Sequence, residues 1–443
     1  MKNMKKTIYE KTFSRLITIS LIVFTGIMSG CSENENESNN EEKAESLWQA
    51  GSTRNKIVTI SDLHIGIDDN YAETVKNREI LIQFLKRLHS TKDVRELVIV
   101  GDFLDAWYLP VFYPNYTDEE KFYKGVISNN QELIDELKHV IRSGIKLVYV
   151  PGNHDLTLEQ KTLQEAIPGI VQVSDAQGLG VYYTGDRKEI AIEHGHRYDV
   201  FSAPDRISNK ELCGNDNTIL PAGYFYARYA ATWVIEGKPN LEKNYPTIDI
   251  VPASDNIDQL GAYKYYKLLE TVSQRFTPNE ELKAKIFKMH IAGFNDDYSY
   301  LDFYPQLQSD GTISGKLYKN IQRTWAERQK QNNVKVPNSF IEALNGAINW
   351  DYYVNQAKVQ YIDNNNEKVD VVVFGHTHVP DCRQFAEGKY YINDGTWVDH
   401  NSDSKEGYTR TFAVITTGNK DSVELYMYEE NGTLKDLKSL VMK

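Results

Sequence analysis

The sequence predicts an α/β fold in which a central sheet is covered on both faces and interrupted by a long, mainly helical insertion. Short apolar runs alternate with amphipathic helical patterns over residues 56–150. The texture turns aromatic and helical between about 201 and 358, and strand-like runs resume between 369 and 427. Apolar runs of about four to eight residues bounded by polar ones read as strands buried on both faces.

The elements follow in order. Lys56–Ile60 is a β-branched run and predicts a strand, and Glu73 to Leu88 carries Val75, Ile80, Leu81, Phe84, Leu85 and Leu88 at helical spacing. Leu97–Val100 is a second strand. Glu132 to Ile141 is a second amphipathic helix, and Lys146–Val150 a third strand. Shorter strands are expected at Gly180–Tyr183 and Glu189–Glu193. The insertion shows helical patterns at Tyr224 to Val234, Gln259 to Val272 and Glu280 to Ile291. Strands return at Val369–Phe374, Lys389–Ile392, Arg410–Thr416 and Val423–Met427. This divides the chain into a sheet-based domain over 53–200 and 359–443, with a helical cap at 201–358. No internal repeat is visible.

The first 30 residues read as an address. Lys2, Lys5, Lys6, Lys11 and Arg15 precede an apolar run from Leu16 to Met28. Secretory apolar regions span roughly 7–15 residues, whereas a membrane span needs about 20. The run ends in Met28-Ser29-Gly30-Cys31, which resembles a bacterial lipobox, so Cys31 is the expected lipidation site. An ordinary signal peptide cleaved nearby, or an uncleaved anchor, is the alternative. Residues 31–52 begin as alternating Glu and Asn and predict a disordered acidic tether. The expected location is extracytoplasmic, at the outer membrane, periplasm or cell surface. The signal carries a net +4, so the chain beyond it is near −16 against −12 for the whole. No basic stripe suits nucleic acid. Cys213 and Cys382 permit a disulfide, although two buried thiols are the simpler reading.

Five apolar strands each end in residues that bind metals. They deliver Asp62-Leu63-His64, Gly101-Asp102-Phe103-Leu104-Asp105, Gly152-Asn153-His154-Asp155, His194-Gly195-His196 and Gly375-His376-Thr377-His378. A single Asp-x-His or His-x-His is weak, since such pairs abound at turns. Five in succession, each just beyond a buried strand, place imidazoles, carboxylates and an amide where α/β active sites form.

In this order the motifs resemble the calcineurin-like metallophosphoesterases. That resemblance implies a sandwich of β-sheets flanked by helices and two divalent ions, with Mn favoured and Fe or Zn possible. It places one ion on Asp62, His64 and His378, the other on Asn153, His194 and His376, with Asp102 bridging. A metal-bridging hydroxide would then attack a phosphomonoester or phosphodiester. His154 would face the phosphate and protonate the leaving oxygen, with Asp155 orienting its ring. Asp105 stands where purple acid phosphatases carry a tyrosine, which argues against a tyrosinate–iron(III) centre. Asp105, Asp199, Asn393 and Asp394 are candidates for supporting the ligands.

The stretch from Gly101 to Trp107, His194-Gly195-His196 and Asn393-Asp394-Gly395-Thr396-Trp397 resemble the UDP-2,3-diacylglucosamine pyrophosphatase-like branch. A pyrophosphatase acting on a nucleotide-sugar or lipid-linked diphosphate is therefore an alternative, as are a non-catalytic binding lipoprotein and a glycan-processing hydrolase. His196 and Arg228 are candidate substrate contacts; for Arg228 the plainer reading is a surface arginine on a packed helix. A phosphorylated small molecule or lipid-linked substrate is the expected partner, beside the membrane reached through the lipid; the oligomeric state is open.

Overall fold

The computed structural model describes residues 44–113, 118–214, 218–364 and 368–442. The expected signal and Cys31 lie outside them. Among the described residues no helix is long and apolar enough to cross a membrane.

Two sheets carry the strands, as the resemblance implies, where the apolar runs alone suggest a single central sheet. In chain order the strands are β1 (Lys56–Ile60), β2 (Val94–Val100), β3 (Lys146–Val150), β4 (Val171–Gln172), β5 (Tyr182–Thr184) and β6 (Ile190–Ile192). The insertion adds two hairpins, β7 (Phe287–Met289) with β8 (Asp296–Tyr298), and β9 (Gln306–Leu307) with β10 (Ile313–Ser314). Then come β11 (Val371–Phe374), β12 (Asp381–Ala386), β13 (Lys389–Asn393), β14 (Thr411–Thr416), β15 (Ser422–Tyr428) and β16 (Leu434–Asp436). The larger sheet has the order β16-β15-β14-β1-β2-β3-β4, and the smaller β12-β13-β11-β6-β5.

Alternation along each strand builds three apolar layers. Ile57, Val98, Val100, Val148 and Val150 of the larger sheet pack with Ile190, Ile192, Val371 and Val373 of the smaller one. Their neighbours Val58, Leu97, Ile99, Leu147 and Tyr149 face outward onto helices Lys76–Ser90 and Gln131–Arg142 through Leu81, Phe84, Leu85, Leu133 and Leu137. On the far side, Val372, Phe374 and Tyr391 meet Tyr353, Val354 and Tyr361. Burial on both faces explains why these strands read as unbroken apolar runs.

Two expectations change. Glu280 to Ile291 is not helical. Phe287 and Met289 are fully buried at strand spacing with Lys288 outward between them, so the period-two pattern wins over the helical one. The tether ends earlier than residue 52. Leu47 is buried, its N–H donating to Thr91 Oγ1 at 2.8 Å, and the Trp48 indole and the Gly51 N–H both donate to Asp93 at 2.9 Å. Cys213 and Cys382 are free and buried, as the simpler reading has it.

Strand direction positions the site. β1, β2 and β3 run parallel in one sheet, and β6, β11 and β13 run parallel in the other. Every motif therefore leaves its strand at the same carboxyl end, where the two sheets meet. The insertion is tied to this end by helix Ile321–Gln331. Its Arg328 is fully buried, donates to the carbonyls of Val200 and Ala203, and lies 3.3 Å from Asp205.

Candidate metal centre

The loops that follow these strands hold their side chains in uncommon backbone geometry. Asp62, His64, Asp102, His376 and His378 all have positive φ, between 41° and 69°. Each costs roughly 1–2 kcal/mol for a residue with a Cβ, and such strain persists where surrounding structure over-determines it. Hydrogen bonds do so here. The Asp62 carbonyl accepts from Thr396 Oγ1 at 2.9 Å and from the Trp397 N–H, and the Leu63 and His64 N–H groups donate to the Asp102 carbonyl. The motif glycines are demanded by close approach. A Cβ at Gly101 would lie 2.4 Å from His194 Nδ1, and one at Gly152 would lie 2.1 Å from Asp102 Oδ1.

The side chains converge in two groups joined by Asp102. In the first, His64 Nε2 and His378 Nε2 stand 3.1 Å apart, with Asp62 Oδ1 at 3.7 and 3.2 Å respectively. In the second, His194 Nε2 lies 3.1 Å from Asp102 Oδ2 and 3.2 Å from Asn153 Oδ1, with His376 alongside. Asp102 Oδ2 also lies 3.7 Å from His64 Nε2, so one carboxylate faces both groups. All seven expected ligands are buried and brought together.

Outer carboxylates orient the rings. Asp105 hydrogen-bonds His64 Nδ1 at 2.8 Å, and Asp403 lies 3.2 Å from His378 Nδ1. Asp199 lies 3.2 Å from His376 Nε2, which leaves Nδ1 of that ring for a ligand. His194 Nδ1 bonds the Val100 carbonyl at 2.7 Å. Partners of this kind fix tautomers and aim the opposite nitrogen inward.

These residues fit two cations. With Nδ1 held by a carboxylate, the two Nε2 lone pairs of His64 and His378 meet each other and Asp62 Oδ1, which is buried and has no hydrogen-bond partner. A cation shared among the three atoms satisfies that contact in a dry interior. Two nitrogens about 2.0–2.1 Å from one ion stand about 3.0–3.4 Å apart at bond angles near 95–110°, which spans the 3.1 Å separation. The field agrees. Burial pushes His378 down, yet Asp62 and Asp403 outweigh it and raise the ring to about 10. Burial opposes His194 too, and Asp102 with Asp62 lifts it to about 9. Burial pushes Asp62 up, but His194 and His378 hold it well below the carboxylate range.

Several candidates need correction or completion. Asp155 does not orient His154. Its carboxylate accepts the N–H groups of Gly152 and Phe103, each at 2.7 Å, and so shapes the backbone of both motif loops. Asp105 Oδ2 is the carboxylate oxygen beside the His154 ring, 2.9 Å from Nδ1, and Trp107 stacks on that ring at 4.7 Å between centroids. Arg228 is not a surface residue. It is buried and donates to the carbonyls of Leu109 and Pro110 and to the Tyr224 hydroxyl. His196 is buried 5.3 Å from the His194 ring, and neither of its nitrogens has a hydrogen-bond partner. Burial, with His194 and His376 adding to it, holds it well below the usual histidine range. Sequence reasoning missed Glu73, whose Oε2 lies 3.5 Å from His64 Nδ1, and Asp403. Glu73 reads as the start of a helix and Asp403 as loop, and neither carries a motif.

The comparisons with known proteins fall on this geometry. No curated protein sequence matches. Among solved structures, a dimetal phosphatase from Danio rerio is similar at 12% identity over 87% of this chain and 96% of that one, with a TM-score of 0.31. The calcineurin-like phosphoesterase family model matches residues 55–380, a span that contains all seven ligand candidates and His154. The chain therefore belongs to the calcineurin-like phosphoesterases, metal-dependent hydrolases of phosphoester bonds.

Proposed function

We propose that the protein hydrolyses a phosphomonoester or phosphodiester outside the cytoplasm, held to a membrane by a lipid on Cys31. The observation that carries the hydrolytic reading is the pair of ligand groups sharing Asp102, with His64 and His378 turned nitrogen to nitrogen beside an unpartnered Asp62 oxygen. Asp62, His64 and His378 would hold one divalent ion, and Asn153, His194 and His376 the other, with Asp102 between them. Mn is the favoured metal, since carboxylate, imidazole and amide ligands suit it, and Fe or Zn fit the same set. When bound, the ions supply Lewis-acid polarisation and a water that is nucleophilic near neutral pH.

The chain's own residues do the rest. Asp105, Asp199 and Asp403 keep the ligand rings aimed inward. His154, with Nδ1 beside Asp105 and one face against Trp107, has Nε2 left to protonate the departing oxygen. The burial of the whole cluster excludes bulk water and strengthens each of these contacts. A lipid-linked or small phosphorylated molecule is the substrate class this supports; the lipid anchor rests on the Leu16–Met28 run and Cys31.

The test is hydrolysis of p-nitrophenyl phosphate and bis-p-nitrophenyl phosphate with Mn, Zn or chelator. Turnover should need metal and fall at least about a thousandfold in Asp102→Asn, since a shared ligand serves both ions. Undiminished turnover in that variant, or in chelator, would overturn the reading. The preferred reporter separates monoesterase from diesterase.

A further inference from the structure

Six of the ten histidines crowd the metal cluster. Two of the others, His89 and His139, meet around one carboxylate elsewhere. His89 stands in the last turn of helix Lys76–Ser90, and Glu136 and His139 lie one turn apart on helix Gln131–Arg142. Glu136 is buried on the same helix face as Leu133 and Leu137. Its Oε1 lies 2.9 Å from His89 Nε2, and its Oε2 lies 3.7 Å from His139 Nδ1. The two helices lead into the amino ends of β2 and β3, so the trio sits at the end of the sheet opposite the cluster.

A buried carboxylate oxygen needs hydrogen bonds or a cation, and Glu136 Oε1 has no hydrogen-bond partner among the described residues. The 2.9 Å approach of His89 Nε2 is therefore a contact in which nitrogen and oxygen are not aligned on each other. Two ligands of one ion meet in this way, because both lone pairs aim at a third point. Donors about 2.0–2.2 Å from a tetrahedral zinc stand about 3.3–3.5 Å apart, and the separations of 2.9 and 3.7 Å fall on either side of that. The two rings, 6.3 Å apart between centroids, would close to about 5.2 Å around a shared ion. The His139 side chain is 44% exposed, so its ring has room to swing inward by that much. Two imidazoles with one carboxylate suit zinc better than Mg, Ca or Mn. We propose that His89, Glu136 and His139 hold a zinc ion, with water completing its shell, and that this ion clips helix Lys76–Ser90 to helix Gln131–Arg142. The site is separate from the hydrolytic centre and does not rest on the reading above.

The experiment strips the full chain with chelator, dialyses it against micromolar free zinc and measures bound zinc per chain. His89→Ala and His139→Ala should each hold one zinc fewer than the unaltered chain. Glu136→Gln, which keeps the shape of the side chain, should weaken zinc binding at this site at least about tenfold, a loss that follows even when an outer partner of a zinc ligand is removed. Zinc should also raise the Tm of the unaltered chain more than that of His139→Ala, because an ion held only by the folded state stabilises it. The Tm measured without zinc shows that each variant is folded. Equal zinc content in the unaltered chain and the two histidine variants would overturn the proposal and leave His89 and Glu136 as an ordinary ion pair. The comparison counts zinc rather than turnover, so its outcome is independent of whether the cluster hydrolyses esters.

Discussion

Asp394 shows how a single residue under the cluster is tuned by its surroundings. It is fully buried, accepts from Ser61 Oγ at 2.6 Å, and that hydroxyl also lies 2.5 Å from Asp62 Oδ2. Burial raises its carboxyl from 3.8 to about 7. A raised folded value means the native state binds this proton more tightly than the unfolded chain does. Its contribution to stability is therefore fully present below about pH 4 and is lost as pH rises to about 7. In urea unfolding with chelator present, Asp394→Asn should gain stability relative to the unaltered chain as pH rises across that window. A difference that stays constant with pH would show that the native carboxyl is already ionised. Asp105 makes a related point, since one carboxylate meets the Nδ1 atoms of both His64 and His154 while its other oxygen accepts from the Trp107 and Tyr108 N–H groups.

At the level of elements, the insertion is fastened to the catalytic loops by buried arginines. Arg228 anchors helix Ala222–Ile235 to the 105–111 segment, which carries Asp105 and Trp107. Arg228→Met keeps much of the volume but leaves the Leu109 and Pro110 carbonyls without a donor. It should cost about 2–4 kcal/mol in denaturant unfolding. KM for p-nitrophenyl phosphate should move little beside this loss of stability, because the guanidinium is engaged by the Leu109 and Pro110 carbonyls and the Tyr224 hydroxyl. A large KM change with stability unaltered would restore Arg228 as a substrate contact. Arg328 fastens helix Ile321–Gln331 to the loop bearing Asp199 in the same way. The insertion is thus fastened to the loops that carry Asp105 and Asp199.

For the molecule as a whole, the described domain begins at its docked edge. Leu47, Trp48 and Gly51 are pinned to the Thr91–Asp93 turn, so any chain joining the domain to a lipid on Cys31 is no longer than residues 32–46. Cys31→Ser should shift the protein from the membrane to the soluble fraction and abolish incorporation of labelled fatty acid. Turnover of p-nitrophenyl phosphate per mole should be unchanged, because the cluster lies in the folded domain. Continued membrane attachment without label would mean that the apolar run Leu16–Met28 itself anchors the chain.

The sequence by itself determined the candidate ligand residues and most of the strands and helices. Each ligand follows directly on a strand whose apolar run is local and periodic, so Lys56–Ile60 and Lys146–Val150 were bounded to the residue. Other features depended on contacts between distant segments. The strands fall into two sheets because β6 pairs with β11 across the whole insertion, a pairing that no local period encodes. Asp403 meets His378 and Glu73 meets His64 through loops without regular spacing. Asp155 turns to backbone rather than to the ring beside it, and Arg228 turns inward, because folding leaves those buried carbonyl and amide groups nearest to hand. Local patterning specifies which atoms can bind metal, and tertiary packing decides which partners aim them.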